Sequence, residues 1–166
     1  AGLIVLSGGI HGDVGKALLS EDTDKATALC QRWPNLLGDR YYLELTRAQR
    51  TGESAYLHAA VALAHSLKIP VVATNDVRFL RQDDFEAHEA RTCIHSGFRL
   101  SDPSRPRHYS VEQHLKTQQQ MKELFADIPE ALENTLCIAM RCNVSLTLGR
   151  VCLPDFPVPA GIKIED

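Results

Sequence analysis

Asp76 and Arg78, in the run Asn75-Asp76-Val77-Arg78, are the residues whose types and spacing come nearest to offering chemistry. They close an apolar, β-branched stretch over 69–80, led in by Pro70 and stopped by Thr74-Asn75-Asp76. Such a stretch reads as a strand buried on both faces, as in a parallel sheet. Ligands and catalytic groups gather at the carboxyl ends of such strands. Residues two apart on extended backbone face the same way, so Asp-x-His at a strand end offers a metal two ligands. Here the third position is Arg78, a permanent cation that cannot coordinate a metal. The frame is that of a metal centre; the filling is not.

The cationic loop with Arg99, Arg105, Arg107 and His108 is the second candidate, as a contact for a phosphate backbone or an acidic partner. Such clusters more often pair with nearby acids, here Asp102. The histidines invite a metal site, but His58 and His65 are seven apart on one predicted helix, as are His88 and His95. That separates each pair by about 10 Å along the axis, too far to share an ion. They read as surface or partly packed imidazoles, and His11 as a loop histidine. Ser7, His88 and Cys93 lack the spacing of a nucleophilic site. Glu44, between Leu43 and Leu45, reads as an ion-pair partner for Arg47 rather than a catalytic carboxylate. Gly8-Gly9-x-x-Gly12 lacks the Lys-Ser/Thr ending of a phosphate loop and reads as backbone geometry. No catalytic residue and no metal ligand set is assigned.

The elements that must position these residues follow from periodicity and punctuation. Residues 3–6 read as a buried strand ending in a glycine turn, and Asp13 opens a helix carrying Val14, Ala17 and Leu18. Asp22-Thr23-Asp24 starts a second helix, which Pro34-Asn35 is expected to end. Tyr41–Leu45 reads as a strand, and 53–68 as a helix with Tyr56, Ala60, Leu63 and Leu67 on one face. A helix over 83–94 follows the strand that holds Asp76, so strands and helices alternate as parallel β/α units. Residues 98–109 are a loop, Ser110 caps a helix to about Phe125, and Pro129 starts another to about Cys142. An extended arm is expected over 145–153, with a proline-marked exit after it. This divides the chain into β/α units over 1–109, a helical segment with its arm over 110–153, and the exit over 154–166.

A hydrophobic share of 44% in 166 residues is enough for a packed core and excludes wholesale disorder. A net charge of −3 gives no general reason to expect nucleic acid as a direct partner. No apolar run approaches the roughly 20 residues needed to span a bilayer, so no membrane role and a cytoplasmic location are expected. Cys30, Cys93, Cys137, Cys142 and Cys152 show no Cys-x-x-Cys spacing and read as reduced thiols. A chain that opens on Ala1-Gly2-Leu3 inside a predicted strand, without Met or leader, is expected to be a piece of something longer.

Five segments occur here in a specific order: Leu6-Ser7-Gly8-Gly9, Tyr42-Leu43-Glu44-Leu45, Tyr56-Leu57-His58-Ala59-Ala60, Val72-Ala73-Thr74-Asn75-Asp76-Val77-Arg78 and Leu124-Phe125-Ala126-Asp127-Ile128-Pro129-Glu130-Ala131. Together they resemble the bacterial DNA polymerase III alpha-subunit family, over the second half of its amino-terminal polymerase-and-histidinol-phosphatase (PHP) domain. The resemblance implies an α/β fold: the carboxyl-terminal half of a distorted barrel of seven β/α units with parallel strands, then helices and an extended arm. It implies that metal-binding members carry Cys where this chain has Gly9 and His where it has Arg78. Gly9, Asp76 and Arg78 would then be vestigial metal-site positions, with an Asp76–Arg78 contact or the Arg78 guanidinium replacing the ion. The implied role is a replicative polymerase part that is catalytically silent by itself, needs no cofactor here and uses magnesium in the parent chain. Its implied partners are the proofreading exonuclease subunit, other holoenzyme subunits, and DNA through the parent. An isolated half barrel exposes sheet edges and is expected to self-associate. The alternative is an active metal-dependent phosphoesterase or 3′-5′ exonuclease.

Overall fold

The computed structural model describes residues 2–149. Three strands alternate with helices: β1 (Val5–Leu6), α1 (Asp13–Leu19), α2 (Thr23–Leu37), β2 (Tyr41–Thr46), α3 (Glu53–Leu67), β3 (Val71–Thr74) and α4 (Phe85–Ser96). Two more helices follow, α5 (Gln118–Leu124) and α6 (Pro129–Arg141). The strands form one parallel sheet in the order β1-β2-β3, with Val5 opposite Tyr41 and Leu43 opposite Val71. Parallel pairing is what the helical crossovers permit. β2, in the centre, is covered on both faces, and Tyr41, Leu43 and Leu45 join Val14, Cys30, Tyr56, Ala60 and Phe125 in the core.

Several expectations need correction. The strand predicted over 3–6 is only two residues long and lies at the sheet edge, where Leu6 is 36% exposed. Pro34 does not end α2, which continues to Leu37 and stops at Gly38, with φ +64°. A proline ring accepts helical φ and costs the helix one hydrogen bond. Packing outweighs that loss: Ala26 and Cys30 are buried, and the Trp33 ring stacks on Tyr41 with centroids 6.0 Å apart.

The single helix predicted from Ser110 to Phe125 is broken. Ser110 caps only the 3-10 turn Val111–Gln113, and α5 starts afresh behind its own cap, Thr117. Between them the chain pairs with the segment after β3. Arg78 N–H donates to the Gln113 carbonyl at 2.8 Å, Leu115 N–H to the Phe79 carbonyl at 3.0 Å, and Asn75 Nδ2 to the His114 carbonyl at 2.7 Å. These long-range bonds take the groups that a continuous helix would need. α4 starts at Phe85, because Gln82–Asp84 forms a 3-10 turn. Residues 143–149 form neither helix nor strand. The rest of the predicted arm, Cys152 and the exit over 154–166 lie outside the described residues.

Candidate functional site

The carboxyl ends of all three strands converge on one charged cluster. After β1 the chain turns through Gly8 and Gly9, with φ of +79° and +54°, values an L side chain rarely adopts. Gly9 faces the cluster: a β-carbon built on it would lie 3.9 Å from Thr46 Oγ1, at the end of β2. The Thr46 hydroxyl donates to Glu53 Oε1 at 2.6 Å and accepts from Arg50 Nη2 at 3.2 Å. Glu53, at the start of α3, is 3% exposed and also accepts from the Ala48 N–H at 2.5 Å.

Asp76 lies beyond β3 in the left-handed region, with φ +45°, which short polar side chains tolerate best among non-glycines. The extended spacing expected for Asp76 and Arg78 is therefore absent, and the two residues turn towards each other. Arg78 Nη2 lies 2.8 Å from Asp76 Oδ1, while Arg50 Nη1 lies 2.7 Å from Asp76 Oδ2. Gln113, fully buried, adds an Nε2–H donor to Oδ2 at 3.0 Å. Both oxygens of the carboxylate are thus occupied by guanidinium groups. Arg50 is the residue that sequence reasoning missed. It lies outside the strands, and only its convergence with Glu53 and Asp76 reveals it, the i, i+3 spacing to Glu53 being a weak signal taken alone.

Glu44 does not pair with Arg47. Its Oε1 accepts from the Thr74 hydroxyl at 2.6 Å across β2 and β3. Arg47 makes a two-pronged contact with Asp127, both distances 2.7 Å, donates to the Leu124 carbonyl, and covers the Phe125 ring. The Arg47 guanidinium holds the Asp127 carboxyl below the usual carboxylate range.

The predicted cationic loop divides. Arg105 pairs with Glu89 on α4 and is 9% exposed, so it serves the fold. Asp102, the partner expected for the loop, instead accepts from Ser104 N–H at 2.9 Å and its hydroxyl at 2.7 Å. Arg99 is exposed, whereas Arg107 lines a cleft of about 490 Å³ together with Arg50, Arg78, His11, His108 and Tyr109. Arg50 Nη1 lies 3.4 Å from His11 Nε2 there, and the Arg78 guanidinium sits 5.6 Å from the Tyr109 ring centre.

The nucleophile candidates belong to the core. Ser7 Oγ accepts from the Glu44 N–H at 2.9 Å, and Cys93, on α4, is buried. His88 is enclosed by Phe79 and Tyr109, its ring centre 4.6 Å from the latter. Burial first and Arg91 second lower its pKa below the ordinary 6.5. Among the described residues, no three His, Cys, Asp or Glu side chains converge as metal ligands.

The fold and this cluster define the class: a parallel β/α protein whose candidate site lies across the strand ends, closed by ion pairs. Over 99% of its length the chain is 53% identical to DNA polymerase III subunit alpha of Pseudomonas aeruginosa. It is 54% identical to that of Escherichia coli K12 over 94% of the chain, and 49% identical to that of Vibrio cholerae over 99%. The chain matches a segment of DNA polymerase III subunit alpha over nearly its whole length, as a fragment of such a protein would. It spans 13–14% of the length of these relatives. No family model matches it.

Proposed function

We propose that this chain is part of the catalytic subunit of a bacterial replicative DNA polymerase, and that its own role is structural and adhesive rather than catalytic. The first statement rests on the identity of 53% across 99% of the chain to a protein named DNA polymerase III subunit alpha. In this reading the parent elongates DNA with magnesium ions held by carboxylates elsewhere in its sequence. The segment is the second half of a PHP barrel in the cytoplasm that supports the polymerase domain and docks the proofreading exonuclease subunit. The three-stranded parallel sheet and its helical crossovers fit half of such a barrel.

The inactive role is carried by one observation, the clamping of Asp76 between Arg50 and Arg78. The residues at the rim do not fit a divalent ion. Gly9 offers no side-chain donor atom, Arg78 brings a positive charge, and the oxygens Asp76 would give a metal already accept guanidinium N–H groups. Metal affinity depends on ligand count and charge, so a carboxylate already neutralised by two cations is a poor ligand.

The experiment is made on the full-length polypeptide. After dialysis against trace zinc and manganese, metal analysis is expected to return no ion attributable to this rim, and Asp76→Asn is expected to leave metal content unchanged. Capture of the exonuclease subunit by the same polypeptide is expected to survive that substitution. Stoichiometric metal lost in Asp76→Asn, with chelator-sensitive exonuclease activity, would instead establish the phosphoesterase alternative.

A further inference from the structure

A second concavity is lined only by α4 and the loop that follows it, with no residue from a strand or from the turn after one. We propose that it binds a small organic monocarboxylate with an apolar or aromatic body. Arg91 and Arg105 hold the carboxylate, and Cys93, Pro106 and the Tyr109 ring pack against the body. The carboxyl-terminal half of α4 supplies Arg91, Cys93 and His95, and the loop supplies Arg105, Pro106 and Tyr109. None of the lining residues is acidic. The volume of about 420 Å³ lies in the range of small-molecule sites, about 300–1,000 Å³.

The Arg105 guanidinium is already fixed in this wall. Its side chain is 9% exposed, Nη1 pairs with Glu89, and Nε–H donates to the Leu100 carbonyl at 3.2 Å. Nη2 has no oxygen acceptor among the described residues, and the adjacent Cys93 thiol is only a weak one. A buried N–H without a good acceptor costs free energy that a ligand oxygen recovers. A purely structural role, fastening the loop to α4, accounts for Nη1 and Nε but leaves Nη2 unexplained. Glu89 cancels the charge of Arg105, so the net positive charge at the cavity comes from Arg91. That residue is exposed and has no carboxylate within 4.0 Å among the described residues. The walls also select the anion. The carboxyl-terminal half of a helix carries the negative end of its dipole, which opposes a multiply charged anion such as phosphate. Two guanidiniums, one of them neutralised by Glu89, beside an apolar wall suit a single carboxylate instead.

Equilibrium dialysis of the full-length polypeptide tests this with three probes: phenylacetate, the uncharged phenylacetamide, and inorganic phosphate. Phenylacetate is expected to bind, with affinity lowered about tenfold by Arg91→Gln, the loss of one charge-assisted contact. Arg91 is exposed, so that substitution leaves the Arg105–Glu89 pair in place. Arg99→Gln, an exposed charge outside the cavity, is expected to leave binding unchanged. The site is overturned if phenylacetate does not bind, if phenylacetamide binds equally well, if Arg91→Gln leaves binding undiminished, or if Arg99→Gln weakens it as much. Phosphate bound more tightly than phenylacetate, and lost on Arg91→Gln, would overturn the choice of anion. The structural role proposed above survives any of these failures, because it rests on Asp76, which does not line this cavity.

Discussion

At the scale of single residues, the two arginines on Asp76 differ in what they hold. Arg50 has 8% of its side chain exposed and also satisfies Glu53, itself 3% exposed, so its removal strands a buried carboxylate. Breaking such a buried pair costs about 3–5 kcal/mol. Glu53 would keep its bonds from Thr46 and Ala48, which places Arg50→Met towards the lower end, roughly 3 kcal/mol. Arg78 is 42% exposed, and an exposed pair contributes about 0–1 kcal/mol. Urea unfolding should therefore rank Arg50→Met far below Arg78→Met. Equal midpoints for the two variants would show that Arg50 does not organise the cluster. Type and spacing were enough to single out Asp76 and Arg78, and their mutual contact was one of the arrangements expected. Arg50, Glu53 and Gln113 could not be chosen from the sequence, because their roles arise from three different strand ends meeting.

At the scale of elements, the rim depends on how closely α1 approaches the turn after β1. A β-carbon on Gly15 would lie 2.1 Å from the Gly9 carbonyl oxygen, and one on Gly12 would lie 1.7 Å from that of Ser7. Both obstacles are backbone, so neither can rotate aside. Alanine in place of glycine inside a helix ordinarily gains about 1 kcal/mol. Overpacking costs roughly 1–3 kcal/mol, and more when backbone must move. Gly15→Ala is therefore expected to destabilise despite its better helix propensity, with a lower thermal midpoint in calorimetry. A raised midpoint would mean that α1 sits farther from the turn. Glycine spacing alone allowed a turn here but could not reveal that a helix crosses it. The same limit explains α2 and the segment 111–117. Local propensity placed a stop at Pro34 and a helix after Ser110, whereas burial of Cys30 and pairing with Asn75, Arg78 and Phe79 decided otherwise.

At the scale of the whole molecule, the three-stranded sheet ends in two outer strands, β1 and β3, each paired on one side only among the described residues. β1 pairs with β2 and has no second neighbour among the described residues, and Leu3 beside it is 77% exposed. On α6, Leu136 and Met140 are 67% and 71% exposed. An open parallel edge with apolar flanks is a template for another strand. Sedimentation of the isolated chain should show self-association that rises with concentration and weakens on Leu3→Lys with Leu6→Lys. A monomer at every concentration tested would show that this edge is covered within the chain. Among the described residues no helix is long and apolar enough to cross a membrane.

The sequence by itself determined the alternation of strands and helices, the parallel sense of the sheet, and the position of Asp76 just past a strand end. These follow from apolar period, punctuation and the length of each connection, all local properties. Only the tertiary structure decided that Asp76 would be held by two guanidiniums, that Arg105 would turn inward to Glu89, and that Arg107 would join Arg78 across a cleft. Charge pairing depends on distances between residues tens of positions apart, and those distances are set by packing around β2 rather than by neighbours in the chain.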